Sequence, residues 1–271
     1  ANILSGPLGG ALLELDGVLG WHGWQWLFVL EGLPAVALAY VVWKKLPDGP
    51  ASAPWLTAAD AQDIERRLAA EQAAAPQQSK LGQMFRDRQI WLAIVVYFVH
   101  QITIYTVIFF LPGIIGTYAA LSPFQVGLMT AVPWIAAAMG AATFPRLATS
   151  PRRCRTLLFF GLLTMAAGLL LASLANSFIG LIGFSLTALM LFVVQSIIFV
   201  FPSSRLSGSA LAAGLAFVTT CGLFGGFVGP SVMGLIEQTT GSTRNGLWII
   251  AALLVCAALV STRLRQGQEQ P

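Results

Sequence analysis

Long apolar stretches recur along the chain and constrain its fold more than any other feature. A helix that crosses the hydrocarbon core of a bilayer needs about 20 predominantly apolar residues. Seven stretches approach or exceed that length, and the chain opens inside a shorter one. We therefore predict an all-α integral membrane protein. The partial span covers about 1–13, and the full spans lie near 24–44, 90–115, 124–147, 155–174, 178–202, 209–236 and 246–263.

Composition excludes several other classes of protein. Hydrophobic residues make up 56% of the chain and charged residues 10%, whereas soluble domains carry roughly 25% charged residues. The net charge of +4 is not gathered in one basic patch, so nucleic acid is not an expected partner. The three cysteines show no metal-ligand or disulfide spacing, and we expect no metal or cofactor. A membrane enzyme is disfavoured because the chain has only two histidines and lacks the common hydrolase motifs.

One long polar segment, 47–88, separates two groups of spans. It begins with the helix-stopping run Leu46-Pro-Asp-Gly-Pro50. It also contains a predicted short helix, capped by Thr57 with Asp60 three residues later. The predicted organisation is an N-terminal bundle remnant (1–46), a cytoplasmic inter-bundle loop (47–88), a six-helix C-terminal bundle (89–265) and a cytoplasmic tail (266–271).

The basic residues are distributed almost entirely to one side of the predicted membrane. When 47–88 is placed in the cytoplasm and each span crosses once, 14 of the 15 Lys and Arg residues fall inside and Arg244 alone falls outside. Cytoplasmic loops carry an excess of Lys and Arg. The bias therefore predicts a multi-pass protein of the plasma membrane (the inner membrane, if bacterial), with its C-terminus in the cytoplasm.

A short pattern recurs at a constant offset of 223 residues. Each copy covers the end of one span, an outer turn and the start of the next. The matched positions are Gly6, Pro7, Glu14 and Gly23 in the first copy and Gly229, Pro230, Glu237 and Gly246 in the second. Two halves with the same orientation are the parallel-repeat arrangement of the major facilitator fold. A matching first half would start roughly 134 residues before Ala1, so we expect an N-terminally truncated chain.

Several motifs resemble one family within that fold. The run Ser5-Gly-Pro-Leu-Gly-Gly10, the block Gly23-Trp-Gln-Trp-Leu-Phe28 and the motif Glu31-Gly-Leu-Pro34 closely resemble helices five and six of the anion:cation symporter family of the major facilitator superfamily. Leu46-Pro-Asp48 with Trp55-Leu-Thr57 at the loop start, and Gly222 through Pro230 in helix eleven, fit as well.

The resemblance implies both architecture and activity. The chain would run from the end of helix five through helix twelve of a twelve-helix fold, and the full-length protein would be monomeric in the bilayer. It would take up small organic anions, that is carboxylates of the phthalate, tartrate or hexonate type, coupled to a proton or sodium ion. Alternating access of the cavity to the two sides would move the substrate without chemistry. A transporter-fold sensor or scaffold, or a transporter of a non-anionic metabolite, remains an alternative.

Polar residues inside the predicted spans are the candidates for the substrate cavity, because such groups usually face a bundle interior or a water-filled space. Tyr97, His100, Gln101 and Tyr105 fall within about a 140° arc of one helix at 100° per residue. His100 can also titrate near neutral pH. Interhelical hydrogen bonding that only holds the bundle together is the alternative. The further cavity candidates are Gln195, Thr219 and Thr220.

Other residues are candidates for proton coupling, helix packing and gating. Glu31 lies well inside a span and either titrates or bonds the neighbouring backbone. Gly222, Gly225, Gly226 and Gly229 leave a groove that another helix can approach closely; with Gly6, Pro7 and Pro230 they predict the packing surface of a rocking helix. Arg152 and Arg153 belong to a basic cluster that either forms a gating salt bridge or meets lipid headgroups.

The topology can be tested with a reporter. An enzyme reporter that is active only in the cytoplasm, fused within 47–88, should be active, because the positive-inside bias retains that loop. A reporter that requires export, fused at the same positions, should be silent. The reverse pattern would contradict the topology.

Overall fold

The computed structural model describes residues 2–74, 81–116, 121–174 and 177–267. These residues contain ten α-helices and no strand. The helices are α1 (Asn2–Leu13), α2 (Gly23–Lys45), α3 (Ala58–Ala74), α4 (Leu81–Arg86), α5 (Arg88–Gly116), α6 (Pro123–Thr143), α7 (Pro151–Ala172), α8 (Ser177–Ser203), α9 (Gly208–Thr240) and α10 (Thr243–Ser261). Short 3₁₀ turns occupy Val18–Gly20, Pro50–Ser52 and Phe144–Leu147.

Seven of these helices are long and apolar enough to cross a membrane, and α1 is a shorter apolar helix. The seven full spans and the partial span predicted from the sequence are thereby confirmed. The helix ends differ from the predicted ones by at most four residues: α7 begins at Pro151 rather than near 155, and α9 ends at Thr240 rather than near 236. Ser150 caps α7, since its hydroxyl accepts a hydrogen bond from the Arg153 N–H at 3.3 Å. Pro151 occupies the first helical position, where proline is favoured. Because α7 begins there, the arginines of the basic cluster lie on its first turns.

Residues 11–78 form one compact unit, which contains α2 and α3. The Asp16 carboxylate accepts a 2.7 Å hydrogen bond from the Gly23 N–H at the start of α2. The predicted helix in the polar segment is present as α3, with Thr57 as its cap. The Thr57 hydroxyl accepts from the Asp60 N–H at 3.2 Å and donates to the Asp60 carboxylate at 2.6 Å. The division into bundles, loop and tail stays a prediction.

Residues 1–10 and 79–271 form the second unit, whose core is the bundle of α5 to α10. The main contacts join α5 to α9, α8 to both α6 and α7, and α10 to α7. Small residues bring the backbones together: a Cβ at Gly140 of α6 would collide with the Leu189 carbonyl of α8. Within the same unit, the first turns of α1 lie on α6, because a Cβ at Gly6 would lie 2.8 Å from the Gly127 carbonyl. Close backbone approach of this kind is typical of helix packing in membranes.

Polar contacts tie together the end of the bundle where α5 begins. Arg205, between α8 and α9, forms a 2.6 Å ion pair with Asp87, and the two side chains are only 17% and 23% exposed. Gln89 spans to the C-terminal segment: its amide donates to the Arg263 carbonyl at 3.3 Å and accepts from the Arg265 N–H at 2.9 Å. The Gly267 N–H donates to the Ser204 hydroxyl at 3.2 Å. These bonds fix the α8–α9 connection and the chain after α10 to the start of α5.

The Asp87–Arg205 pair should contribute measurably to stability. Asp87→Asn leaves the shielded guanidinium without its charged partner, and we expect a loss of about 1–3 kcal/mol in the free energy of unfolding. Asp63→Asn is the matched control, since the Asp63–Arg67 pair of α3 is 46% and 78% exposed and such surface pairs contribute about 0–1 kcal/mol. Thermal unfolding of both variants in detergent micelles measures the difference. Equal destabilisation would contradict a special role for Asp87.

Candidate functional site

Helix α5 carries the polar side chains that the sequence singled out, and they lie inside the bundle. Tyr97 and Gln101 are 2% and 3% exposed, His100 is fully buried, and Tyr105 is half-buried. Most of the neighbouring positions are apolar, so the four polar groups lie in a largely apolar part of the helix. Burial of a polar group costs free energy unless the group is hydrogen-bonded. Their bonding partners therefore decide what the cluster can do.

Tyr97, Gln101 and Gln195 form a small polar cluster between α5 and α8. The Gln101 amide nitrogen donates to the Tyr97 hydroxyl at 2.9 Å, and the Gln195 side chain of α8 lies near that hydroxyl. The Gln101 carbonyl oxygen is buried without a partner in the described part of the chain. If the amide turns over, the carbonyl accepts from Tyr97 and the amide nitrogen becomes the unused group. In either orientation Gln101 keeps one polar atom available for a bound molecule.

His100 points toward α8 and has a different environment. Its Nε2 lies 2.8 Å from the Leu191 carbonyl oxygen, and because a carbonyl can only accept, Nε2 carries the proton in this bond. Its ring stacks near Tyr97, with centroids 6.0 Å apart and planes 17° from parallel. Nδ1 has no partner among the described residues. His100 therefore joins two helices through one nitrogen and can exchange a proton only through the other.

The glycines of α9 accept the aromatic rings of α5. A Cβ at Gly222 would lie on the Tyr97 ring, and one at Gly226 would lie 2.5 Å from the Tyr105 ring. Gly225 and Gly229 approach the α5 backbone, with Cβ positions against the Phe98 and Ile102 carbonyls respectively. Helix α5 thus occupies the groove that the glycine spacing predicts. A role of this surface in rocking or gating stays a prediction.

The remaining candidates are dispersed. Thr219 is half-buried and Thr220 is exposed on α9, while Glu31 is exposed on α2 in the unit of residues 11–78. Gly6 lies against α6 and is followed by Pro7, whereas Pro230 lies inside α9. The exposed Arg152 and Arg153 are on the first turn of α7. Within the bundle unit, the structure brings Tyr97, Gln101, Tyr105, Gln195 and the α9 glycines together, and it leaves Thr220 and the arginines outside this group.

Two features of the bundle were missed from the sequence. Thr106, one turn beyond Ile102 on α5, is 1% exposed, and its hydroxyl has no partner in the described part of the chain. At 100° per residue, Thr106 lies about 140° around the helix from Gln101 and outside the arc of the predicted polar residues, so the helical period gives no signal for it. The Asp87–Arg205 pair joins residues 118 apart, and nothing local to either residue indicates the other.

Cavities in the described residues lie away from this cluster. One of ≈ 590 Å³ is at the ends of α5, α7 and α9 and the start of α10, with Ser173, Glu237 and Arg244 in its wall. None of its lining residues was predicted as a cavity residue, and the Tyr97–Gln101 cluster is closely packed.

Comparison with known proteins identifies the family. The profile of the Major Facilitator Superfamily matches residues 1–230 and 95–270. The "Inner membrane transport protein RhmT" of Escherichia coli (strain K12) is 33% identical over 269 residues, covering 98% of this chain and 62% of that protein. A "Putative tartrate transporter" of Agrobacterium vitis is 38% identical over 264 residues, covering 96% and 60%. The "Quinolone resistance transporter" of Acinetobacter baumannii is 30% identical, covering 96% and 61%. The chain therefore spans about three-fifths of the length of these relatives.

The contact between Tyr97 and α9 can be tested by adding one methyl group. Gly222→Ala places a Cβ on the Tyr97 ring, and overpacking of this kind costs about 1–3 kcal/mol. Gly234→Ala is the control on the same helix, because a Cβ there meets nothing within 4 Å; the better helix propensity of Ala should leave its stability unchanged or raised. Melting temperatures in detergent should fall for the first variant only. Equal melting temperatures would mean that α5 and α9 do not pack as described.

Proposed function

The chain belongs to the Major Facilitator Superfamily, and from that membership we propose that it functions in proton-coupled symport of small organic anions by alternating access. The chain is a multi-span membrane protein, and its relatives are transporters rather than enzymes. The substrate class, the coupling ion and the residues that bind them are the proposed part.

The nature of the relatives supports the anionic substrate. Two proteins of Agrobacterium vitis that match nearly the whole chain, at 38% and 35% identity, carry tartrate in their names. The motifs in α1, α2 and α9 resemble the anion:cation symporter family as well. Tartrate is a dicarboxylate that also bears hydroxyl groups, so it needs both hydrogen-bond donors and acceptors from its binding site.

The Tyr97–Gln101–Gln195 cluster is the observation that carries the proposal. It supplies hydroxyl and amide groups that can donate to a carboxylate or accept from a substrate hydroxyl. Gln101 retains an unused buried polar atom, which costs roughly 1–3 kcal/mol when unpaired. Substrate that pairs with this atom when the helices part would recover that energy. Tyr105, Thr219 and Thr220 are the proposed neighbours of the cluster along the substrate path, and Glu31 and His100 are the proposed proton-linked groups.

We propose that the protein lies in the plasma membrane, which is the inner membrane of a bacterium. The 47–88 segment and the C-terminus would then be in the cytoplasm. The charge bias supports this topology, since Arg244 is the single basic residue on the other side. Gly6 and Pro7 of α1 and the glycines of α9 are then proposed as sliding surfaces during alternating access. Arg152 and Arg153 are at the cytoplasmic ends of the bundle, where a gate would close.

Transport of a non-anionic metabolite is the second candidate. The name of the Acinetobacter baumannii relative, a quinolone resistance transporter, favours it. So does the absence of Lys and Arg from the Tyr97–Gln101–Gln195 cluster, because neutral amides and hydroxyls also bind neutral molecules. A sensor or scaffold with this fold would bind a ligand without moving it.

Flux measurements distinguish these functions. The complete gene product in proteoliposomes should accumulate labelled tartrate when the outside is made acidic, and a protonophore should abolish accumulation. Accumulation that follows a sodium gradient instead would replace the proton as coupling ion. Binding without flux would support the sensor, and flux of uncharged solutes alone would support the second candidate.

Gln101→Leu should raise the KM for tartrate by roughly tenfold, the effect of losing about one hydrogen bond. Expression should not fall, because Leu removes an unsatisfied polar group from an apolar core. Thr103→Val is the matched control: Thr103 is buried on the same helix, but its hydroxyl already donates to the Val99 carbonyl of its own helix at 3.2 Å. An unchanged KM in Gln101→Leu would leave Gln101 with a packing role only.

A further inference from the structure

A ridge of three side chains on α7 separates two grooves. Arg152, Thr156 and Phe160 follow each other at intervals of four residues, so they stack along one line of the helix. Both grooves are lined by all three. The first groove, of ≈ 370 Å³, continues along Arg155, Phe159 and Thr262. The second, of ≈ 610 Å³, continues along Leu147, Arg153 and Leu157. All of these residues belong to the bundle unit.

The chemistry of the ridge changes with depth. Arg152 is on the first turn of α7, Thr156 is exposed one turn later, and the Phe160 ring is 58% exposed one turn beyond that. At 1.5 Å per residue, Arg152 and Phe160 are about 12 Å apart along the helix. The headgroup region of a bilayer is about 5–8 Å thick on each side. The ridge therefore passes from a cation at headgroup depth to an exposed aromatic ring at acyl-chain depth.

In the described part of the chain, no carboxylate forms an ion pair with Arg152 or Arg153 at the start of α7. The sequence contains no Asp or Glu between Arg88 and Ile236. In the bundle, Asp87 is already paired with Arg205. Arg153 donates to the Thr149 hydroxyl at 2.9 Å, which is a neutral partner. Arg152 forms no ion pair with any residue that the structure describes.

The start of α7 adds to the positive potential. The first N–H groups of a helix and its dipole favour an anion at that end. Arg152 and Arg153 occupy the two positions after Pro151, so their charges reinforce the dipole's attraction for an anion. Basic residues at helix N-termini repel the helix dipole, and an external anion would relieve that repulsion. A phosphate group is the anion present at high concentration at this depth.

We propose that this ridge is a binding site for an anionic phospholipid, with the phosphate on Arg152 and Arg153 and one acyl chain in each groove. A gating salt bridge would account for the charges, but it would leave the two grooves and the exposed Phe160 ring without a role. The lipid would also contact Thr262 after α10 and Leu147 before α7, and so would hold both segments against α7. The proposed ligand of this site is a membrane lipid, so lipid binding would not require the transported substrate.

Short-chain lipids allow a direct test on the whole chain in detergent micelles. Dioctanoyl phosphatidylglycerol, dioctanoyl phosphatidylcholine and sodium phosphate are titrated separately, with bound lipid counted by native mass spectrometry and the melting temperature measured. Phosphatidylglycerol should bind most tightly and raise the melting temperature. Arg152→Gln should weaken its binding at least fivefold, and Arg152→Lys should bind within twofold of the original chain. Phe160→Ala should weaken binding of phosphatidylglycerol but not change the response to phosphate.

Arg86→Gln is the matched control, because Arg86 is an exposed arginine at the same end of the bundle but lines neither groove. It should bind phosphatidylglycerol as the original chain does. Equal weakening by Arg86→Gln would reduce the effect to diffuse attraction and overturn the proposal. So would equal binding of phosphatidylcholine, or protection by phosphate that matches that of the lipid. Because Arg152, Phe160 and Arg86 are exposed, we expect all these variants to fold. Native mass spectrometry of the unsubstituted chain also measures lipid binding without any variant.

Discussion

Polar groups inside a lipid bilayer have no water to bind, and every level of this structure depends on that constraint. Each backbone N–H and C=O must be satisfied within the protein, which leaves the helix as the simplest spanning element. The same requirement acts on side chains. Buried hydroxyls of the bundle, such as those of Thr103 and Thr187, donate to backbone carbonyls. Among the described residues, three buried side-chain atoms have no such partner: His100 Nδ1, the Gln101 carbonyl oxygen and the Thr106 hydroxyl. These are the groups that we propose to associate with a substrate or with helix movement.

Glycine determines where the helices approach closely enough to bring polar groups together. Because Gly222 and Gly226 have no Cβ, the rings of Tyr97 and Tyr105 fit against α9, and Tyr97 is held within reach of Gln101 and Gln195. Such packing excludes solvent from the cluster. A transporter that alternates between two open sides must separate packed helices to admit substrate, and a smooth glycine surface lets helices move with few interlocking side chains. Under the proposed function, structural packing and transport would use the same residues.

Charge is separated from this apolar interior and concentrated at one end of the bundle. There Asp87 and Arg205 pair, while Gln89 and Ser204 bind the chain that follows α10. The arginines at the start of α7 differ: Arg153 donates to the Thr149 hydroxyl, and Arg152 forms no ion pair among the described residues and lines both grooves. One end of the bundle therefore contains an internally paired set of charges beside the arginines for which we propose an external anion.

Helix number and position followed from the sequence by itself, because a bilayer of defined thickness demands apolar stretches of defined length. The repeat and the Gly-Trp-Gln-Trp-Leu-Phe block indicate the superfamily without any tertiary structure. The position of Tyr97, His100, Gln101 and Tyr105 on one helix also followed from the 3.6-residue period. Which helices pack against each other did not follow from the sequence, since an apolar helix packs equally well on many apolar surfaces. Only the tertiary structure showed that α9 receives the tyrosines, that His100 turns to Leu191 of α8, and that Asp87 pairs with an arginine 118 residues away. Those outcomes depend on side-chain shape and long-range hydrogen bonds, which no local pattern in the chain encodes.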